Sequence, residues 1–143
     1  MNPQSYANHT RWHPLFHFFI LPVLLINFIW AIIDFVKAPG KNSAWSIVVS
    51  LALALLAFFA RTYSLKVQDR VIRLEEKLRY QQLLSPALAQ QCGALTIGQT
   101  IALRFAADDE LEELVSAVVS GKLTTRKDIK QAIKNWRADE FRV

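Results

Sequence analysis

Two long apolar runs, separated by a short polar connection, occupy most of the first 60 residues of the chain. Neither the run from Leu15 to Ile33 nor the run from Ser43 to Ala60 contains a charged residue. Helices of 18 or 19 residues are about 28 Å long, close to the roughly 30 Å hydrocarbon thickness of a bilayer. Only helices or closed barrels satisfy their backbone groups in lipid, and two segments cannot close a barrel. The sequence therefore predicts an all-α protein with a transmembrane hairpin of two spans within residues 14–60.

Basic residues are concentrated just after the second apolar run. Residues 61–79 hold six basic and three acidic residues, whereas residues 80–143 hold eight of each, so most of the net charge of +5 lies beside the span. An excess of Lys and Arg beside a span marks the cytoplasmic side and is suited to contact with anionic lipid. Because two spans return the chain to the side where it began, we expect both termini, including the segment 1–13, to be cytoplasmic.

Polar and small side chains within the spans predict how the two helices pack. Asn27 lies near the middle of the first span, where an amide requires a partner, and an interhelical hydrogen bond is worth roughly 0.6–2 kcal/mol. The second span presents small residues, including Ser50 and Ala54, on one helix face. We predict that Asn27, Ser50 and Ala54 form the seam of the hairpin; a contact between copies, or no special role, is the alternative. Pro22 predicts a kink in the first span.

The second span is predicted to continue into the cytosol as one long helix, residues 61–84, because no glycine or proline occurs between Ala60 and Pro86. Apolar residues with 4-3-4 spacing form a short coiled-coil seam along it: Val67, Val71, Leu74 and Leu78. Two interpretations stay open, since the seam covers barely two heptads: the chain's own tail covers it, or it joins copies of the protein. The charges expected to set register or partner choice are Asp69, Arg70, Arg73, Glu75 and Glu76.

Residues 85–143 predict a small cytosolic domain of three short helices. Each helix has a capping signal at its start: Thr96 with Gln99, Asp108 or Asp109, and Thr125 with Asp128. The second helix is expected to end at Gly121, and the third is expected to include Trp136. Apolar faces on the last two helices should pack together and onto the long helix: Leu111, Leu114, Val115, Val118 and Val119, and Ile129, Ala132, Ile133 and Trp136.

No motif in the sequence specifies a reaction. The single cysteine, Cys92, excludes an intramolecular disulfide and zinc sites that need several cysteines from one chain. There is no glycine-rich phosphate loop and no H-E-x-x-H pattern. His9, His13 and His17 recur every four residues, and with Asp34 they are the whole basis for a lipid-directed enzyme. We therefore predict a protein that is not an enzyme and that uses no cofactor and no metal.

Several blocks of the sequence resemble an uncharacterised family of small bacterial membrane proteins. They are, in order, NPQSYANHTRWHPLFHFF, RTYSLKVQDRVIRLEEKLR, IALRFAADDEL and DIKQAIKNWRADEFRV. The resemblance covers nearly the whole chain and implies a bacterial inner-membrane protein with two spans. It implies no activity, cofactor or site residue.

Together these features predict a membrane-anchored accessory or scaffold protein that self-associates or binds a larger inner-membrane complex. The alternative is an oligomeric transport or channel unit, in which Asn27 and Pro22 would face a pore. The absence of a buried charge in the spans argues against that alternative. The neutral tail argues against nucleic acid as a partner.

Overall fold

The computed structural model describes residues 5–6 and 12–139 of the chain. Within these residues the backbone forms α-helices and no strand: α1 (Leu21–Lys37), α2 (Lys41–Leu83), α3 (Pro86–Gln91), α4 (Ile97–Leu103), α5 (Leu111–Val119) and α6 (Arg126–Ala132). A π-helical segment, Leu15–Ile20, leads directly into α1, and a 3-10 turn, Cys92–Ala94, follows α3. The predicted all-α fold is confirmed for the part of the chain that the structure describes.

Two of these helices are long and apolar enough to cross a membrane. The first extends from Leu15 to Lys37 and includes the π-helical segment, and the second is α2. In each helix only 6% of the most apolar 18-residue stretch is buried. A core helix of a soluble protein has most of its apolar surface covered by other parts of the protein. Here the apolar side chains of both helices are left uncovered by the chain itself.

The first long apolar helix changes its winding next to Pro22, where the sequence predicts a kink. Proline has no N–H group, and its ring crowds the carbonyl four residues earlier, so a regular α-helix cannot continue unchanged through it. The preceding six residues, Leu15–Ile20, are wound as a π-helix, and Pro22 lies in the first turn of α1. The helix therefore accommodates the proline through a wider turn before it.

The helix α2 is a single element of 43 residues, Lys41–Leu83. The second apolar run thus continues past Ala60 without a break, as predicted, and the helix ends immediately before Ser85 and Pro86. The backbone separates into two compact units. The hairpin unit contains residues 12–65, and the tail unit contains residues 66–139 together with residues 5–6. The last part of α2 is therefore grouped with the helices that follow it.

The tail unit has one hydrophobic core, to which α2 and all the later helices except α3 contribute buried side chains. The core residues are Tyr80, Leu84, Ala102, Leu103, Phe105, Ala106, Leu111, Leu114, Val115, Val118, Ile129 and Ile133. The predicted apolar faces of α5 and α6 supply many of these side chains, although Val119 is exposed. Burial of apolar area is the main favourable contribution to the stability of such a core.

Local capping signals position the short helices of the tail unit. The Thr96 hydroxyl accepts the Gln99 backbone N–H in a complete capping box, and Thr125 with Asp128 forms a second one. The helix α5 is followed by Gly121, whose φ of +78° is readily adopted only by glycine. These three signals lie within a few residues of the ends that they fix, so the sequence predicts them well.

The tail differs from the sequence prediction in three ways: it has an additional helix, α3, a different N-cap on α5 and a shorter last helix, α6. The short helix α3 was not predicted, because six residues are too few to display a helical period. Neither Asp108 nor Asp109 caps α5; its N-cap is Glu110, which makes no side-chain capping bond. The Glu110 carboxylate instead accepts the backbone N–H groups of Lys134, at 3.1 Å, and Asn135, at 3.0 Å.

The last helix is also shorter than predicted, because α6 ends at Ala132 and does not reach Trp136. The following residues run antiparallel to the segment around Phe105: the Arg137 N–H donates to the Phe105 carbonyl at 2.8 Å. The Trp136 ring packs against the Phe105 ring with centroids 5.1 Å apart. Backbone pairing with a distant segment therefore replaces the helical hydrogen bonds that the local sequence favours.

Candidate interaction surface on the long helix

The predicted contact of the hairpin unit is centred on one hydrogen bond. The Asn27 amide donates to the Ser50 hydroxyl oxygen at 2.8 Å, and Ser50 is buried. Ala54 is half-buried one turn further along α2, and Ala31 is buried one turn further along α1. Small residues on both helices thus flank the bond, which gives the Asn27 amide one partner within the chain, while the rest of the Asn27 side chain is exposed.

The apolar seam of α2 is exposed along its whole length. Between 49% and 61% of the surface of each of its four residues, Val67, Val71, Leu74 and Leu78, is accessible to solvent. The tail unit does not cover the seam. Of the two interpretations left open by the sequence, the one in which the chain's own tail packs against these residues is therefore wrong. Four large aliphatic side chains in a row on one helix face form a contiguous apolar strip, as interaction surfaces do.

The opposite side of α2 is buried, and we call it the inner face: Ile72, Glu76, Arg79 and Tyr80. Its composition is unusual, because two of its four residues are charged. Only 3% of the surface of Glu76 and 8% of the surface of Arg79 is accessible to solvent. Charged groups are buried only where ion pairs and hydrogen bonds replace their hydration.

Arg79 is the centre of the polar network on the inner face. Its guanidinium donates to Asp108 from Nε, at 2.8 Å, and from Nη2. Nη2 also donates to the Ala106 carbonyl at 2.7 Å, and Nη1 contacts the Glu76 carboxylate at 3.3 Å. The planar guanidinium satisfies several fixed acceptors at once, which a lysine cannot do. The spacing of Glu75 and Arg79 is that of a helical i,i+4 ion pair, but Arg79 instead bonds Asp108.

Further arginines extend the network towards the end of the described chain. Arg137 contacts the other oxygen of Glu76 at 3.5 Å, and the buried Arg104 pairs with Asp139 at 3.3 Å. Burial raises the pKa of the Glu76 carboxyl above its ordinary value of 4.5, although Arg79 and Arg137 both act in the opposite direction. The network therefore joins α2 to the segment that precedes α5 and to the segment that follows α6.

The five charges that the sequence selects as partner contacts divide between the two sides of the helix. Arg70, Arg73 and Glu75 are exposed, Asp69 is half-buried, and Glu76 is on the inner face. Glu76 therefore acts within the chain and is not presented to a partner. Arg79 and Asp108, which sequence reasoning missed, are 29 residues apart, and no local pattern indicates such a pair.

A groove of about 660 Å³ also borders α2, where Arg73, Lys77 and Tyr80 line one wall. The Tyr80 hydroxyl is buried and has no hydrogen-bond partner among the described residues. Burial, and then the neighbouring Glu76, raise the pKa of Tyr80, so the phenol is neutral at physiological pH. A buried polar group without a partner is unfavourable for the stability of a core.

The histidines near the first span do not form a metal site within the described residues. The imidazole Nδ1 of His17 lies 2.9 Å from the His13 carbonyl oxygen, and His9 lies outside the residues that the structure describes. In the same part of the chain, no group of three or more His, Cys, Asp or Glu side chains is arranged to hold a metal ion. Outside the two apolar helices of residues 12–60, the seam of α2 remains as an exposed row of large aliphatic side chains.

Comparison with known proteins gives a family and no relative of known function. No curated protein matches the chain, and no solved structure matches it. A family model described as a family of unknown function, DUF6526, matches residues 1–143. The resemblance to an uncharacterised family is thereby confirmed, whereas a bacterial origin stays a prediction. The chain belongs to the DUF6526 family.

Proposed function

We propose that this protein is a non-enzymatic, membrane-anchored scaffold that self-associates through the seam of α2. The observation that carries the proposal is the exposure of the four seam residues on a helix whose opposite side is already occupied. An exposed apolar strip costs free energy in water, and contact with a second apolar surface removes it from water. The seam is therefore suited to an occupant from outside the chain.

Membrane anchoring is the second part of the proposal. Support comes from the two long apolar helices, whose apolar side chains the protein leaves uncovered. We infer from the excess of basic residues in 61–79 that the tail and both termini lie in the cytoplasm, where these residues are suited to contact with anionic lipid. In a bacterium this membrane is the inner membrane.

The alternative function, a transport or channel unit, is not favoured by any observation. Asn27 is the polar residue that would face a pore, and its amide is already bonded to Ser50 of the same chain. This bond is suited to holding the two helices of the hairpin together.

The experiment is extraction of the full-length protein in native nanodiscs, followed by mass determination and identification of every component. A particle that contains several copies of the 16.3 kDa chain supports self-association. A stable heterologous protein in the particle would replace the proposal with a role as an accessory subunit. A lone monomer would contradict the proposal.

A matched pair of variants connects the assembly to the seam. Leu74→Asp places a charge in the middle of the apolar strip and should convert the particle to a monomer. Ile97→Asp makes the same change at an exposed apolar residue at the start of α4, away from the seam, and should leave the assembly intact. Equal behaviour of the two variants would remove the seam from consideration.

A further inference from the structure

The positions of the seam residues define a heptad register for α2. Their spacing places Val71 and Leu78 at position a, and Val67 and Leu74 at position d. The inner face then falls entirely on the far side of the heptad: Ile72 and Arg79 at b, Tyr80 at c and Glu76 at f. In a coiled coil the positions b, c and f point away from the partner helix. The tail unit therefore occupies the positions that a coiled coil leaves free.

The charges beside the seam complement each other between two parallel helices. Arg70 is at position g and Glu75 is at position e of the next heptad, and both side chains are exposed. In a parallel pair, residue g of one helix faces residue e of the following heptad on the other helix. Two copies thus bring Arg70 of each helix next to Glu75 of the other. The next g and e positions along the pair are Lys77 and Gln82, so no like charges face each other there.

The membrane anchor determines the relative direction of the two helices. Copies that share one topology in one membrane direct α2 to the same side, so their helices run parallel. The middle heptad has Val71 at a and Leu74 at d, and a β-branched residue at a with leucine at d favours two strands. With about two heptads the contact is weak by itself, but confinement to a membrane raises the effective concentration of the copies.

We propose that two copies of this chain pair in parallel through α2, in register, with Arg70 of each helix bonded to Glu75 of the other. This inference rests on the proposed function and names the partner and the register of its contact. Self-association by another surface would leave the proposed scaffold role standing and would overturn the register alone.

A charge exchange tests the register. The full-length protein is labelled with donor and acceptor dyes at an introduced Lys122→Cys in a Cys92→Ser background and is placed in liposomes that contain an anionic phospholipid. Association is measured by energy transfer. Arg70→Glu or Glu75→Arg alone converts two attractive contacts into two repulsive ones and should weaken association about tenfold. The double variant Arg70→Glu/Glu75→Arg should restore it. Additive losses in the double variant would overturn the proposal.

Cysteine cross-linking tests the same geometry without changing charges. In a Cys92→Ser background, Val71→Cys and Leu74→Cys should each form a disulfide between copies, because a and d residues of parallel helices face their own counterparts. Lys66→Cys is the matched control, since position c points outward and the residue is exposed. Cross-linking at position 66 that equals that at 71 and 74 would overturn the register. Absence of association in every assay would overturn the proposed function as well.

Discussion

The two sides of the last part of α2 reverse the usual distribution of residues between the inside and the surface of a protein. The inner face buries Glu76 and Arg79, whereas the seam exposes two valines and two leucines. Globular proteins usually bury aliphatic side chains and leave charged ones in water. The tail is therefore held on α2 in part by directional polar contacts, and the apolar strip is left uncovered. The comparison indicates that one side fixes the fold and the other side is available for assembly.

The largest expected effect breaks the inner face. Arg79→Met removes the cation that bonds Asp108, the Ala106 carbonyl and Glu76. Removal of one partner from a buried ion pair costs about 3–5 kcal/mol. Without Arg79, Glu76 stays buried with the Arg137 contact at 3.5 Å as its remaining ion pair. Hydrogen exchange of the amides of α4 to α6, in the full-length protein in nanodiscs, should become much faster.

The control for this variant is Arg73→Met, which changes an exposed arginine six residues earlier on the same helix. Surface changes of this kind usually alter stability by no more than about 0.5 kcal/mol. Exchange in this variant should match the unmodified protein. Equal acceleration in both variants would show that burial of the network has no special importance for the fold.

A smaller effect on the same face depends on pH. The pKa of Glu76 is raised by burial above the ordinary 4.5, so the folded protein holds this proton more tightly than the unfolded chain does. The contribution of Glu76 to stability is therefore greatest below about pH 4.5 and is lost as the pH rises through the raised pKa. Glu76→Gln removes this loss, so the variant should gain stability relative to the unmodified protein as the pH increases. Denaturant unfolding at several pH values measures the difference in stability between the variant and the unmodified protein. If this difference instead grew in favour of Glu76→Gln as the pH fell, burial would not be what raises the pKa of Glu76.

The smallest expected effect concerns Tyr80. Its buried hydroxyl has no partner among the described residues, so Tyr80→Phe removes a polar group and keeps the ring in the core. We expect the unfolding free energy to stay equal or to rise by up to about 1 kcal/mol. A decrease of that size, measured by denaturant unfolding, would mean that the hydroxyl makes a stabilising hydrogen bond.

The sequence predicts those parts of the molecule in which a residue has few possible partners or a signal lies beside the helix end that it fixes. Asn27 within an apolar run requires a partner, and a face of small residues on the next helix offers Ser50, so the two are found together. The capping box at Thr96 and the helix end at Gly121 are fixed by residues three or fewer positions away. In each case the energetic requirement of one residue limits the structure of its neighbours.

The sequence does not predict contacts that depend on where distant segments meet. Arg79 has an acidic residue four positions earlier, which suggests a helical ion pair, but it bonds to Asp108. The residues after Ala132 favour a continued helix, but they pair with the backbone near Phe105. Both choices are made by tertiary structure, because a buried guanidinium and a buried backbone must find acceptors wherever the fold places them.

Energy transfer between labelled copies in liposomes, measured as the protein is diluted with lipid, tests the central claim most directly. The account predicts transfer above the level of random proximity for the unmodified protein and for Ile97→Asp, and random-level transfer for Leu74→Asp. Random-level transfer in the unmodified protein, or undiminished transfer in Leu74→Asp, would contradict the claim that the seam of α2 joins copies of this chain.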